Sequence, residues 1–325
     1  MKKILITGSS GNIGAYITAK IQKLLPETEL IRTVYGQENV SVSEGKYTGD
    51  LRDPHVAEKI FQDHPDVDCI IHAAASAYNT DKFKEQPLDI LRNDTLCLLN
   101  VLGQAKSPKL KIIYLSSVMV YESVQELPFT EDSTNTNPAP VTPYGIAKFL
   151  GEKAVRLYSE QNKSDFTIWR LFNVVSPLEN HIKSGGHVYV DFYRKLFVER
   201  LPTIKIFGNG QQVRCFTWVE DIAEPIVNFL DDPHTSRETF NLGGKEPKSL
   251  IDLAETLLSI GHEKGLLPHD YAPTIKTGGT FNGLDVGKRI PSLEKVEKDL
   301  NWTAPTVFRK IFEKFVDAKQ KYAHK

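Results

Sequence analysis

Cysteine is scarce in this chain. Cys69, Cys97 and Cys215 are far apart among 325 residues, with neither CxxC spacing nor a cysteine–histidine pattern suited to a metal. The three read as buried thiols in a reducing compartment. An excess of charge is also missing: 40 Lys and Arg against 41 Asp and Glu leave a formal charge of −1. There is thus no global attraction for nucleic acid or an anionic membrane surface, and any anion must be bound locally. No apolar run approaches the roughly 18 residues of a membrane span. The run after Lys2 and Lys3 stops at Gly8, too short for the core of a secretion signal. The expectation is a cytoplasmic chain with no nucleic-acid or membrane partner. Internal repeats and low-complexity tracts are absent as well.

What is present is length for a large core, in two domains or in one large domain with a lobe. Lys2 to Thr7, KKILIT, suits a strand buried on both faces, and GSSGNIG follows at once. Gly8, Gly11 and Gly14 allow a tight turn, a close backbone approach to a pyrophosphate and close helix–strand packing. The helix expected from about Asn12 to Leu25 adds its positive end, completing a dinucleotide cradle. A second strand, ELIRTV, carries Arg32 and Thr33 near the place where an acid would accept the ribose 2′-hydroxyl of NAD. An arginine there suits a 2′-phosphate, which leaves NADP open.

Further strands are expected at Val67 to Ser76, at Leu110 to Tyr121 ending in Ser116 and Ser117, and at Asp165 to Pro177, which carries Arg170 and Asn173. Asp50 lies at a strand end. Pro87 to Gln104 has helical periodicity and includes Asn93. Glu122 to Thr142 reads as a long loop leading into PYGIAK, where Tyr144 and Lys148 are four apart and so share one helix face. A phenol serves as a base near neutral pH only beside a cation, and Lys148 can be that cation. Past Pro177 the rhythm breaks. Asn209 and Gly210 read as a hairpin-type turn before Arg214, and ETFNLGG suits a strand returning to the first sheet. The fold expected is α/β: a doubly wound parallel sheet of Rossmann type, residues 1–176 plus about 217–245, with a smaller substrate lobe from 177–216 and 246–325.

The stretches TGSSGNIG, GDLRDP, HAAA, SSVMVY, YGIAK, RLFN, GNGQQVRCFTWVED and KRIPSLEKVEKDLNW together resemble the extended short-chain dehydrogenase/reductase family, in particular its nucleotide-sugar epimerases and dehydratases. The resemblance covers nearly the whole chain. It implies NAD as cofactor, with Gly8, Gly11, Asn12, Ile13 and Gly14 at the pyrophosphate, Asp50 and Leu51 beside the adenine, and Ala73, Ala74, Ala75 and Asn93 along the cofactor. It also implies Ser117 as the hydroxyl that holds the sugar oxygen beside Tyr144, with Lys148 on the nicotinamide ribose. Asn173, Arg214 and Arg289 would bind a nucleotide-diphosphate sugar, and the helices after Pro87 and after Tyr144 would pair in a homodimer. Relatives that eliminate or decarboxylate carry an acid just after the catalytic Ser or Thr, where this chain has Val118 and Met119. That difference favours 4-epimerisation, with an NADP-dependent ketoreductase or a non-catalytic dinucleotide sensor as alternatives. Two further departures are Cys215, where aspartate is common, and Glu122, where glycine is common.

Overall fold

The computed structural model describes residues 1–36, 40–75, 85–107, 109–179, 186–279 and 287–323. The chain begins with β1 (Lys3–Thr7), α1 (Gly14–Leu24), β2 (Glu29–Val34), the short strands β3 (Ser41–Ser43) and β4 (Lys46–Thr48), and α2 (Pro54–Asp63). Then come β5 (Cys69–His72), α3 (Pro87–Gln104), β6 (Lys111–Ser117), α4 (Pro143–Asn162) and β7 (Asp165–Leu171). With β12 (Glu238–Leu242), the strands form one sheet in the order β12-β7-β6-β5-β1-β2-β4-β3, parallel except for the β3–β4 pair. β12 therefore returns to the sheet, as ETFNLGG suggests.

Each central strand is apolar on both faces because helices cover both. Ile4 and Ile6 face α1, whose Ile17 and Ile21 are fully buried, whereas Leu5 faces the layer formed by α2, α3 and α4. The expected strand at 67–76 ends at His72. Ala73, Ala74 and Ala75 continue without regular structure, and Ser76 lies outside the described residues.

Beyond β7 the expected single strand to Pro177 is broken. Asn173 has φ +40°, and β8 (Val174–Val175) pairs instead with β11 (Thr217–Trp218). α5 (Val188–Tyr193) runs into a π-helical turn, Arg194–Val198. The hairpin expected at Asn209 and Gly210 does not form. A turn is present, with φ +75° at Gly210, but β9 (Thr203–Ile206) pairs with β14 (Thr274–Thr277). β10 (Val213–Cys215) pairs with β13 (Pro247–Ser249) and β15 (Lys288–Arg289). Local turn chemistry matches a hairpin; partners far along the chain decide the pairing. α6 (Val219–Asn228), α7 (Leu250–Glu263), α8 (Glu294–Leu300) and α9 (Phe308–Ala323) complete the chain. α5, α7 and α9 share a core with Ile204, Phe216 and Trp218. Among the described residues, no helix is long and apolar enough to cross a membrane.

A buried ion pair fixes α4 to the sheet. Arg170 donates to Glu152 through Nε (2.9 Å) and a terminal nitrogen (2.7 Å), and Ser116 Oγ donates to the same carboxylate at 2.5 Å. The two side chains are 3% and 4% exposed, so either charge alone would be stranded away from water. Glu152→Ala is expected to destabilise the protein by about 3–5 kcal/mol, read as a lower urea midpoint at unchanged slope. A loss below about 1 kcal/mol, typical of an exposed pair, would contradict that account.

Candidate active site

The glycine turn requires its glycines for different reasons. Gly8 has φ +68°, and a Cβ on it would lie 2.8 Å from the Ala74 Cα. On Gly14 a Cβ would lie 2.1 Å from the Gly8 carbonyl oxygen, so the start of α1 can approach the turn only without a side chain. The turn is held by Gly11 N donating to Gly8 O (2.9 Å) and Ser9 N to Thr33 O (2.9 Å). No side chain caps the amino end of α1 at Ile13; Ala15 N and Tyr16 N already donate to the carbonyls of Gly11 (3.1 Å) and Ile13 (3.0 Å), so an anion would meet the turn at the amides before them. Ser176 Oγ donates to the Asn12 carbonyl at 3.0 Å and ties this turn to the segment after β8. Sequence reasoning missed Ser176, which has no local motif to mark it.

Thr33, not Arg32, faces the turn: Gly8 N donates to Thr33 Oγ1 at 3.2 Å. Arg32 sits on the opposite side of β2, where its guanidinium donates to the Glu44 carbonyl at 3.0 Å. Asp50 accepts from the guanidinium and the backbone N–H of Arg52, and the Arg52 side chain holds its carboxyl below the usual range. Asn100 Nδ2 bonds the carbonyls of Leu51 (2.9 Å) and Arg52 (3.0 Å), anchoring that loop on α3. After β5, Ala74 N donates to Thr7 Oγ1 at 3.2 Å, which brings 73–75 alongside the glycine turn. His72, behind them, contacts Thr7 Oγ1 at 3.1 Å; burial pushes its pKa down to about 3, so its ring is neutral. Asn93 and Asn173 each bury a side-chain oxygen with no hydrogen-bond partner among the described residues. Buried amides left open in this way mark places a ligand can satisfy.

Tyr144 and Lys148 lie on one face of α4, with Lys148 Nζ 5.7 Å from the Tyr144 ring centroid. Tyr144 is half-buried, Lys148 buried. Lys148 donates to the Leu115 carbonyl at 3.1 Å and stands 5.4 Å from the Tyr114 ring centre. Burial works against the ammonium, but the phenols of Tyr114 and Tyr144 and the Asp94 carboxylate outweigh it and hold the group above its ordinary value. The two serines at the end of β6 differ. Ser116 is committed to Glu152, whereas Ser117 accepts from Met119 N (3.3 Å) and starts a 3-10 turn, Val118–Tyr121. α4 packs on that turn, and a Cβ at Gly145 would lie 2.9 Å from the Met119 carbonyl oxygen. Ser117, Tyr144 and Lys148 are thus carried by elements in direct contact.

Arg214 and Arg289 are strand neighbours: β10 and β15 run parallel with these two in register. Arg214 is buried and donates to the carbonyls of Val213 (2.9 Å) and Gly287 (3.1 Å). Two guanidiniums on adjacent strands suit a group with several anionic oxygens.

The residues present fit NAD on three observations of this structure: the close backbone turn that only glycines at positions 8 and 14 allow, the α1 terminus without a side-chain cap, and the open Asn93 oxygen. Gly14→Ala is expected to yield folded protein that retains no NAD. Acid extracts analysed for nucleotide, together with circular dichroism, would check this, and full NAD occupancy would overturn the reading of the turn.

Residues 4–243 match the NAD dependent epimerase/dehydratase family. The chain is 29% identical over 312 residues to a putative UDP-glucose 4-epimerase of Methanocaldococcus jannaschii, covering 92% of this chain and 97% of that protein. It is 25% identical over 310 residues to UDP-glucuronic acid decarboxylase 1 of Xenopus tropicalis, covering 93% of this chain and 68% of the relative. Among solved structures, the UDP-glucose 4-epimerase of Thermotoga maritima, determined with UDP-glucose, superposes with a TM-score of 0.82 at 22% identity, over 99% of both chains. With a family match over most of the chain, and a glycine cradle and Ser–Tyr–Lys geometry that agree with it, the protein belongs to the NAD-dependent epimerase/dehydratase family.

Proposed function

We propose that the protein is a nucleotide-sugar epimerase that oxidises and re-reduces one sugar carbon while its NAD stays bound. The observation that carries this reading is the set Ser117, Tyr144 and Lys148 followed by Val118 and Met119 instead of an acid. Val118 is buried with Val120 and Tyr121 in the turn beside Ser117, so no carboxylate comes from that position. Elimination or decarboxylation in related enzymes has an acid there, which sets this chain apart from its decarboxylase relatives and closer to its epimerase ones. Substrates of the diphosphate class are supported by the Arg214–Arg289 register. The residues of 177–216 and 246–325 would form the lobe that takes this substrate, and 1–176 with about 217–245 would hold the cofactor.

In the mechanism Tyr144 takes the proton of a sugar hydroxyl, while Ser117 holds that oxygen by a hydrogen bond. Lys148, kept as the ammonium, stabilises negative charge on the phenolic oxygen as the proton moves. NAD, when bound, supplies the hydride acceptor and donor. Arg214 and Arg289 keep the diphosphate in place while the keto sugar turns its other face to the site. Tyr144 then returns the proton to the oxygen of the inverted carbon, and the net reaction consumes no cofactor.

Incubation with a panel of nucleotide sugars is expected to show stereochemical interconversion at constant nicotinamide absorbance. Stoichiometric oxidation of added NADPH would replace the epimerase with a ketoreductase. Tyr144→Phe is expected to lower kcat by about 10²–10⁴ with NAD still bound; a variant as active as the parent would remove Tyr144 from the chemistry.

A homodimer through α3 and α4 is part of the proposal. Leu96 (36% exposed), Leu99 (46%), Leu150 (43%) and Leu157 (65%) stand outward on these two helices, spaced three and seven apart, a stripe suited to a second copy. Sedimentation equilibrium is expected to give twice the chain mass for the parent and the single-chain mass for Leu99→Glu/Leu157→Glu. A monomeric parent would dispose of the dimer.

A further inference from the structure

Glu122 joins the two catalytic elements through its side chain. It follows the 3-10 turn that Ser117 begins, and its N–H closes that turn on the Met119 carbonyl at 3.4 Å. Its carboxylate crosses to the start of α4. Oε2 accepts from Val141 N (3.0 Å) and Thr142 N (2.9 Å), and Oε1 accepts from Thr142 Oγ1 (2.5 Å). Thr142 in turn caps α4 by accepting from Gly145 N at 3.1 Å, and Tyr144 is the second residue of that helix. A Cβ at Gly145 would lie 2.8 Å from Glu122 Oε2, so the carboxylate occupies the space beside the Tyr144 backbone. A second strut, Ser123 Oγ to the Ala139 carbonyl at 2.9 Å, closes the base of the loop between them.

We propose that Glu122 is a positioning residue for catalysis: its carboxylate sets the separation of the Ser117 hydroxyl and the Tyr144 phenol by clamping the amino end of α4 to the turn after β6. A carboxylate at a helix amino end is favoured by the helix dipole, and three donors converge on this one. The chain between Glu122 and Val141 is otherwise a long loop with one short helical turn, Ser133–Thr136, so covalent connection does not fix the spacing. Glu122 touches neither substrate nor cofactor in this account; it acts through Thr142 and the helix start.

The inference rests on Tyr144 and Ser117 acting on one sugar oxygen, as proposed above, and its test separates the two ideas. Glu122→Ala removes the clamp. Glu122→Gln keeps an oxygen for the two backbone amides and gives up the charge. For Glu122→Ala, kcat for nucleotide-sugar interconversion is expected to fall by about 10–100-fold, the scale of a misplaced catalytic group, with KM and bound NAD close to the parent and Tm lower by about 2–4 °C. Glu122→Gln is expected to recover most of that loss. A Glu122→Ala enzyme with unchanged kcat, or one whose KM and NAD retention fail together with kcat, would overturn the positioning role. Hydrogen–deuterium exchange of the peptide spanning 141–146 needs no activity. It is expected to quicken in Glu122→Ala, and unchanged exchange there would overturn the clamp even if the parent proved not to be an epimerase.

Discussion

A single buried carboxylate, Glu152, holds the active helix to the sheet. It receives two hydrogen bonds from Arg170 on β7 and one from Ser116 on β6, so one side chain joins α4 to two neighbouring strands. Arg170 extends the network to the Tyr121 hydroxyl, the Glu131 carbonyl and Thr134, which secures the loop that follows the serines. Tyr121 continues it to Asn241 on β12, and Asn241 bonds the carbonyls of Phe129 and Ser292. Partial satisfaction would make such a network costly; here nearly every polar group in it has a partner. Tyr144 is in this sense also held from the middle of its own helix, by a residue about one turn beyond Lys148.

The same arrangement divides labour between adjacent serines. Side chains alternate across a strand, so when Ser116 points into the Glu152 network Ser117 is turned the other way, toward the crevice at the carboxyl ends of the strands. A one-residue slip of β6 would exchange the two, and the register of β6 against β7, with Ser116 opposite Arg170 and Ser117 opposite Leu171, prevents it. The geometry on one face of the strand thus depends on the ion pair on the other.

Much of this was legible in the sequence wherever the information is local. The glycine turn, the 87–104 helix and the Tyr144–Lys148 face follow from spacings of a few residues, and the buried strands from continuous apolar runs. Arg32 shows how narrow the margin is: one position along β2 separates the residue that faces the glycine turn, Thr33, from the one that reaches the β3–β4 turn. Apart from the return of ETFNLGG to the sheet, non-local pairing was not legible. Nothing near Asn209 and Gly210 reveals that β9 and β10 join different sheets, and nothing near Arg214 shows that Arg289 lies beside it. Glu122 stood out only as a departure from the resemblance, because its partners Val141 and Thr142 are across a loop.

The placement of β12 bears on how the chain is made. β7 gains its last neighbour only after the intervening segment, with β8 to β11 and α5 and α6, has been traversed. As the polypeptide emerges from the ribosome, β7 therefore waits with an open edge, and Trp169 waits for Phe240, whose ring finally packs 5.2 Å from its own. During that interval the nascent sheet is sticky on one side, a period in which a chaperone would find a hydrophobic strand to shield. Synthesis order and sheet order are furthest apart at this strand, and the growing chain is exposed to misassociation there.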